Sequence, residues 1–371
     1  MTDFVDALAA LIREDYGAAA PLIDADPEDV RDTADRHGVL PLAAHRLAHW
    51  DLAPRPLRST LMVEARRRAA ADLVRARELR QCLETLHNAG VSVLLMKGAQ
   101  LAYTHYERPD LRPRVDTDVL IPASARHTIG SVLARCGHLP AGQVPGELVM
   151  YQQAYTRERH GATIHTLDVH WRTANPQVFG AVLPYEELAE AAVRVPRLGP
   201  HARGLSPPHA LLLACVHRAA HHFDAAYLIW LYDIHLIADR FVESEWVQLL
   251  ASARERGVAT VCARGLEQAA RYFHTTIPPS VSAALQRDSQ RPEETATAAY
   301  LTHRRRHVEH VVSDLRALPT WADRWRLIRE HLFPARQYMR DVYAPASGVP
   351  LPLLYVQRAV RGARKWLARA Q

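Results

Sequence analysis

Apolar positions recur at helical spacing through most of the chain and change to a period of two in one region only. In the first 90 residues Phe4, Leu8, Leu11 and Ile12 mark one face of a helix, and Asp26 followed by Pro27 has the form of a helix start. The run from Arg55 to Gly90 is long and amphipathic, with Asn88 and Gly90 as its stop. The period then shifts: "VSVLLM", 91–96, is short, apolar and β-rich, as a buried strand is. "AQLAYTHY" returns to helical spacing, and a proline-interrupted loop, "YERPDLRPR", leads to "VDTDVLIP", a second predicted strand stopped by Pro122. "ASARHTIGSVLARCG" predicts a helix capped by Gly137, and residues 148–157 and 163–171 predict a hairpin about His160-Gly161. From Ser206 onward helical spacing returns and continues to a last helix near 353–370, broken conspicuously only by "APASGVPLP", 344–352.

The expectation is an α+β fold: a small mixed β-sheet, roughly 91–195, between predominantly helical N- and C-terminal regions. The corresponding divisions are a helical region 1–74, a core 75–200 and a helical region 201–371. A chain of 371 residues is long enough for two or three such modules. Composition adds exclusions more than assignments. Hydrophobic residues make up 48% and charged residues 23%. No apolar run approaches the roughly 18–20 residues that a membrane span requires, so no membrane partner is expected. The opening "MTDFVDALAALIRED" carries acids where a secretory signal carries bases, which points to a cytoplasmic helix. Cys82, Cys136, Cys215 and Cys262 are scattered without a CxxC pair, a spacing that argues against a zinc knuckle or a disulfide framework. The net charge of +6 is compatible with an anionic ligand such as a nucleotide or RNA.

The candidate chemistry lies in the β-rich region. Arginine fills nearly every basic position, and Lys97 is one of only two lysines, placed directly before Gly98 at the end of an apolar run. A lysine is a compact point charge that suits a tight phosphate site, although chance also leaves a lysine somewhere. Asp116 and Asp118 alternate with Val115, Thr117 and Val119, so a strand puts both carboxylates on one face, about 7 Å apart. They either face solvent or share a divalent cation, and hard oxygen ligands favour magnesium or manganese. Asp168 and His170 alternate in the same way on a later strand, so a third carboxylate converges on the pair if the strands are neighbours. By the same alternation Trp171 points into the core. His217 and His221 stand four apart on a predicted helix, with His222 beside them. They are zinc ligands, nucleotide or acceptor contacts, or polar helix positions; Arg218 stands where a zinc protease has glutamate. Asp233 is read as a partly buried hydrogen-bonding residue. The basic stretches 303–310 and 357–370 are solvated faces or, alternatively, an RNA-tracking surface.

"LLMKGAQLAY", "LRPRVDTDVLIP", "LDVHWR", "HRAAHH" and "WLYDIHLIA", in this order over about residues 75–245, resemble the nucleotidyltransferase-like family of bacterial proteins, within the polymerase-β-type nucleotidyltransferase superfamily. The resemblance implies a sheet of polymerase-β type and a magnesium-dependent transfer of a nucleoside monophosphate from a nucleoside triphosphate. The acceptor would be a hydroxyl or phosphate of a small molecule, a peptide or protein, or a tRNA. It puts Lys97 and Gly98 at the turn that holds the triphosphate, Asp116 and Asp118 at the metal pair and Asp168 as third acid, metal ligand, general base or both. Arg112 is a second candidate to neutralise the departing pyrophosphate, and His170, His217 and His221 are expected near the nucleotide. Lys-Gly replaces the commoner Gly-Ser of the superfamily, exchanging a hydroxyl for an ammonium. The same scaffold also admits transfer of a sugar from a nucleotide-sugar to a modified peptide, or nucleotide binding without turnover.

Overall fold

The computed structural model describes residues 4–142, 144, 146–302, 307–343 and 348–367. Residues 303–306 of the first basic stretch, 344–347 of the proline-rich break, 368–370 of the basic tail and the first three of the opening helix lie outside them. Four helices come first: α1 (Val5–Ile12), α2 (Pro27–Arg36), α3 (Leu40–Leu47) and α4 (Arg55–Asn88). Asp26 starts α2 as expected, its carboxylate accepting from Glu28 N at 2.8 Å and Asp29 N at 3.4 Å, which satisfies backbone donors that have no partner inside the helix. Beyond α4 the chain turns at Gly90, whose φ of 72° a residue with a Cβ rarely adopts.

The sheet has seven strands: β1 (Leu94–Leu95), β2 (Thr117–Leu120), β3 (Leu139–Pro140), β4 (Gln152–Arg159), β5 (Ala162–His170), β6 (Val193–Arg194) and β7 (Arg203–Gly204). Their order is β3-β4-β5-β2-β1-β7-β6; β2 runs parallel to β5 and β1 to β7, and the other neighbours are antiparallel. Helices α5 (Lys97–Thr104), α6 (Ile129–Ala134) and α7 (Tyr185–Glu190) lie between strands. The β4–β5 hairpin turns at His160 and Gly161, with φ of 52° and 75°, the pair of positive values whose twist matches that of flanking strands. The sheet is thus mixed, in an α+β arrangement. β1 keeps only two residues of the apolar run 91–96, and β3, β6 and β7 are two-residue strands too short to show any period.

Ten helices complete the described chain, of which α8 (Pro207–His222) and α9 (Leu228–Ala238) line the site and α10 (Glu243–Glu255) and α11 (Ala259–Phe273) pack against α8. They are followed by α12 (Pro279–Asp288), α13 (Thr295–Ala298), α14 (His307–Ala317), α15 (Trp321–Leu332), α16 (Arg336–Tyr343) and α17 (Leu351–Leu367). Alternation along the strands divides the core in two. Leu95, Val119, Leu167, Val169 and Trp171 pack with Leu79, Leu83 and Leu86 of α4 and with α6. Leu94, Met96 and Leu120 face the other way, into a core shared by α1–α3 and α8–α11. Among the described residues no helix is long and apolar enough to cross a membrane. All four cysteines are free and buried. They are not isolated, however: Cys82 Sγ and Cys136 Sγ are 3.5 Å apart beside His138, a grouping that the spacing in sequence hides.

Candidate active site

The parallel ladder between β2 and β5 aligns Thr117 with Leu167, Asp118 with Asp168 and Leu120 with His170. Aligned residues of adjacent strands point to the same face, so two acids 50 positions apart are brought side by side. His170, two residues beyond Asp168, shares that face. Its Nε2 lies 3.0 Å from Asp118 Oδ1 and 3.2 Å from Asp168 Oδ2. On the far side of β5, Gln152 donates its side-chain N–H to Asp168 Oδ2 at 2.7 Å, and Asn175 holds Gln152 by donating to its Oε1 at 3.2 Å. Asp168 Oδ1 is buried and has no hydrogen-bond partner, a condition that costs free energy unless a cation or donor meets it.

Lys97 opens α5 in the left-handed region, with φ of 52°, and donates from Nζ to Asp118 Oδ1 at 2.7 Å. Burial pushes the Asp118 carboxyl up, but Lys97 and His170 outweigh it and hold the group well below the usual carboxylate range. Asp116 goes the other way: burial, then the charges of Asp118 and Asp168, raise it. His170 is pushed down by burial and by Lys97, yet its hydrogen bonds to Asp118 and Asp168 prevail and raise it. Asp118, Asp168 and His170 can each offer one ligand atom within 4.8 Å of the others. Asp116 precedes the first residue of β2 and stands outside that group, although it lines the same cleft.

The cleft has a volume of about 500 Å³ and is bounded by Lys97, Gly98, the three aspartates and, on α8, His217, His221 and His222. His222 Nε2 lies 3.2 Å from His217 Nε2, and its ring stacks on Trp230 with centroids 4.0 Å apart. His217 Nδ1 and His221 Nε2 are buried without hydrogen-bond partners. Burial and then Lys97 lower all three imidazoles, His217 well below its ordinary value, His221 to about 3 and His222 to about 4. They are therefore neutral at pH 7, each with one ring nitrogen as donor and the other as acceptor.

Arg112 also lines the cleft, but its guanidinium is spent on other partners: Nε and Nη2 donate to Asp233 at 2.9 and 2.8 Å, and Nη1 donates to Pro113 O at 2.8 Å. Tyr106 donates to the same carboxylate at 2.7 Å. Its charge is thus balanced inside the protein, on α9, rather than presented to a ligand. Gly98 is explained by this pair, since a Cβ there would stand 3.0 Å from Arg112 Cζ. Arg112 and Asp233 as partners, Gln152 and Trp230 were not legible in the sequence. Gln152 sits on a strand face whose neighbours depend on register, Arg112 and Asp233 are separated by 121 positions, and Trp230 meets His222 only through the packing of α9 against α8.

The model of an uncharacterised nucleotidyltransferase family matches residues 24–274. No curated protein matches the chain. The matched span, from α2 to just past α11, includes every strand and every side chain of the cleft, and this chain belongs to that family of transferases.

Proposed function

We propose that the protein is a magnesium-dependent nucleotidyltransferase, with a sheet of polymerase-β type, that moves a nucleoside monophosphate from a nucleoside triphosphate to a hydroxyl or phosphate of an acceptor. One observation carries the reading: Asp118 and Asp168 lie side by side on the β2–β5 ladder, and the buried Oδ1 of Asp168 lacks a partner inside a cleft that Lys97 also enters. Two adjacent carboxylates with an unsatisfied oxygen are a hard-ligand set suited to magnesium or manganese. Asp118 and Asp168, with Asp116 lining the same cleft, would hold the ion. When bound, it would polarise the phosphates and lower the pKa of the acceptor group.

The chain's own residues supply the rest. Asp118, held ionised, contributes fixed negative charge at the metal position. Lys97 lines the same cleft, where its ammonium would offset charge on the departing pyrophosphate. The acceptor oxygen forms a bond to the α-phosphorus as the bond from that phosphorus to the β-bridging oxygen breaks. The proton of the acceptor goes to the Asp168 oxygen that the ion does not hold. His217 and His221, neutral and carrying unused ring nitrogens, are suited to hydrogen-bond the sugar or base, and Trp230 offers a stacking surface at the rim. His170 keeps the two carboxylates in register.

The test uses triphosphates labelled at the α-phosphate, incubated with the protein, magnesium and candidate acceptors, including water. Label should appear on an acceptor or as free monophosphate, with pyrophosphate released. Asp116→Ala with Asp118→Ala should abolish this, and turnover surviving in that variant would end the proposal. A parallel incubation with nucleotide-sugars labelled in the sugar separates the alternative transfer, because only that reaction moves the sugar label.

A further inference from the structure

Behind the sheet, on the face opposite the cleft, Cys82 of α4, Cys136 after α6, His138 before β3 and His165 of β5 meet in the core. Their exposures are 0%, 4%, 0% and 1%. Cys82 Sγ is 3.5 Å from Cys136 Sγ and 3.5 Å from His138 Nδ1, and His138 Nε2 is 2.9 Å from His165 Nδ1. Cys82 Sγ and His138 Nε2 are 3.9 Å apart. We infer that these four residues form a structural zinc site of the two-cysteine, two-histidine type, independent of the nucleotide cleft.

Three physical arguments support it. Zinc bonds of about 2.3 Å to sulfur and 2.0–2.1 Å to nitrogen place tetrahedral ligand atoms about 3.3–3.8 Å apart; Cys82, His138 and His165 each offer a ligand atom within 4.8 Å of the others, and Cys136 Sγ, 3.5 Å from Cys82 Sγ, is the fourth, drawn in on binding. Two thiolates neutralise the ion, which makes the site uncharged and therefore tolerable at near-zero exposure; the two thiol protons pass to solvent on binding. Finally, one histidine is already oriented. His165 Nε2 lies 3.0 Å from Thr117 Oγ1; a proton kept on Nε2 by that hydroxyl leaves the Nδ1 lone pair for the metal. Thr117 stands between Asp116 and Asp118, so the ion would tie α4, α6 and β5 to the strand that carries the acids. The absence of a CxxC pair does not exclude such a site, because its ligands come from three separate segments, α4, the α6–β3 connection and β5, rather than one knuckle.

The experiment is refolding of the full chain with cobalt(II) and, separately, zinc. About one cobalt per chain is expected, with a near-ultraviolet sulfur-to-cobalt charge-transfer band and the intense visible bands of tetrahedral cobalt. Both should be lost in Cys82→Ser with Cys136→Ser and kept in Asp118→Asn. Because the double serine variant can fail to fold, the unaltered chain carries its own check: zinc should bleach the cobalt spectrum and slow the reaction of Cys82 and Cys136 with a disulfide reagent relative to the zinc-free chain, while leaving the equally buried Cys215 and Cys262 unchanged. Cobalt bound without the charge-transfer band, unchanged reactivity of Cys82 and Cys136 on zinc loading, or a Cys82–Cys136 disulfide in place of metal would each overturn the inference.

Discussion

The ion pair between Arg112 and Asp233 gives the sharpest prediction. Its side chains are 10% and 6% exposed, and Asp233 accepts from Arg112 Nε at 2.9 Å, Arg112 Nη2 at 2.8 Å and Tyr106 at 2.7 Å. Asp233→Leu leaves a buried guanidinium and a buried hydroxyl without their acceptor. Removing one partner of a buried pair costs about 3–5 kcal/mol. With an unfolding entropy of about 2.1 cal/mol/K per residue, 371 residues give about 0.8 kcal/mol/K, so the loss corresponds to about 5 °C in Tm. Adding Arg112→Met removes the stranded charge and should recover most of it, since well-packed apolar replacements of buried pairs are often neutral. Differential scanning calorimetry and denaturant titration measure both steps. Transfer activity of the double variant should return to within about tenfold of the original, as befits a strut that braces the loop before β2. A single variant within about 1 kcal/mol of the original, or a double variant no better than the single, would refute the energetic argument. A double variant that is stable but inactive would return Arg112 to the phosphates.

Gly98→Ala should destabilise by about 1 kcal/mol, because crowding against the fixed guanidinium exceeds the helix-propensity gain of about 1 kcal/mol; in the Arg112→Met, Asp233→Leu background it should become favourable, as denaturation midpoints will show. Lys97→Arg should lower kcat/KM more than about tenfold despite the retained charge, since a planar fork does not fit where a point charge meets Asp118; wild-type rates would contradict this. His105, His221 and His222 are lowered to about 4, 3 and 4, each chiefly by burial. The unfolded chain therefore binds more protons than the folded one between pH 6.5 and about 4. Stability should fall as pH drops through that window, by up to about 1.4 kcal/mol per pH unit for each histidine. Urea unfolding across the range measures the slope, and a flat profile would contradict the burial of neutral imidazoles.

Much of this protein is written in short-range pattern. The capped start at Asp26, the long run to Gly90, the hairpin at His160-Gly161 and the helix from Ser206 follow from local periods and backbone preferences, which act over a few residues and survive in the sequence. The alternation of Asp168 and His170 likewise settles which side chains share a face of β5, whereas Asp116 precedes β2, so the expected strand pairing of Asp116 with Asp118 on one face does not apply. What alternation leaves open is which strands are neighbours and in what register. That is decided by packing of the whole sheet between α4 and α8, because a one-residue slip would turn Asp168 into the core beneath Val169. Tertiary structure alone set Asp118 beside Asp168, left Asp116 outside that pair, joined Arg112 to Asp233, and gathered Cys82, Cys136, His138 and His165 behind the sheet. Each of these contacts joins residues far apart in the chain, whose proximity depends on the combined free energy of the core rather than on any preference of the residues themselves.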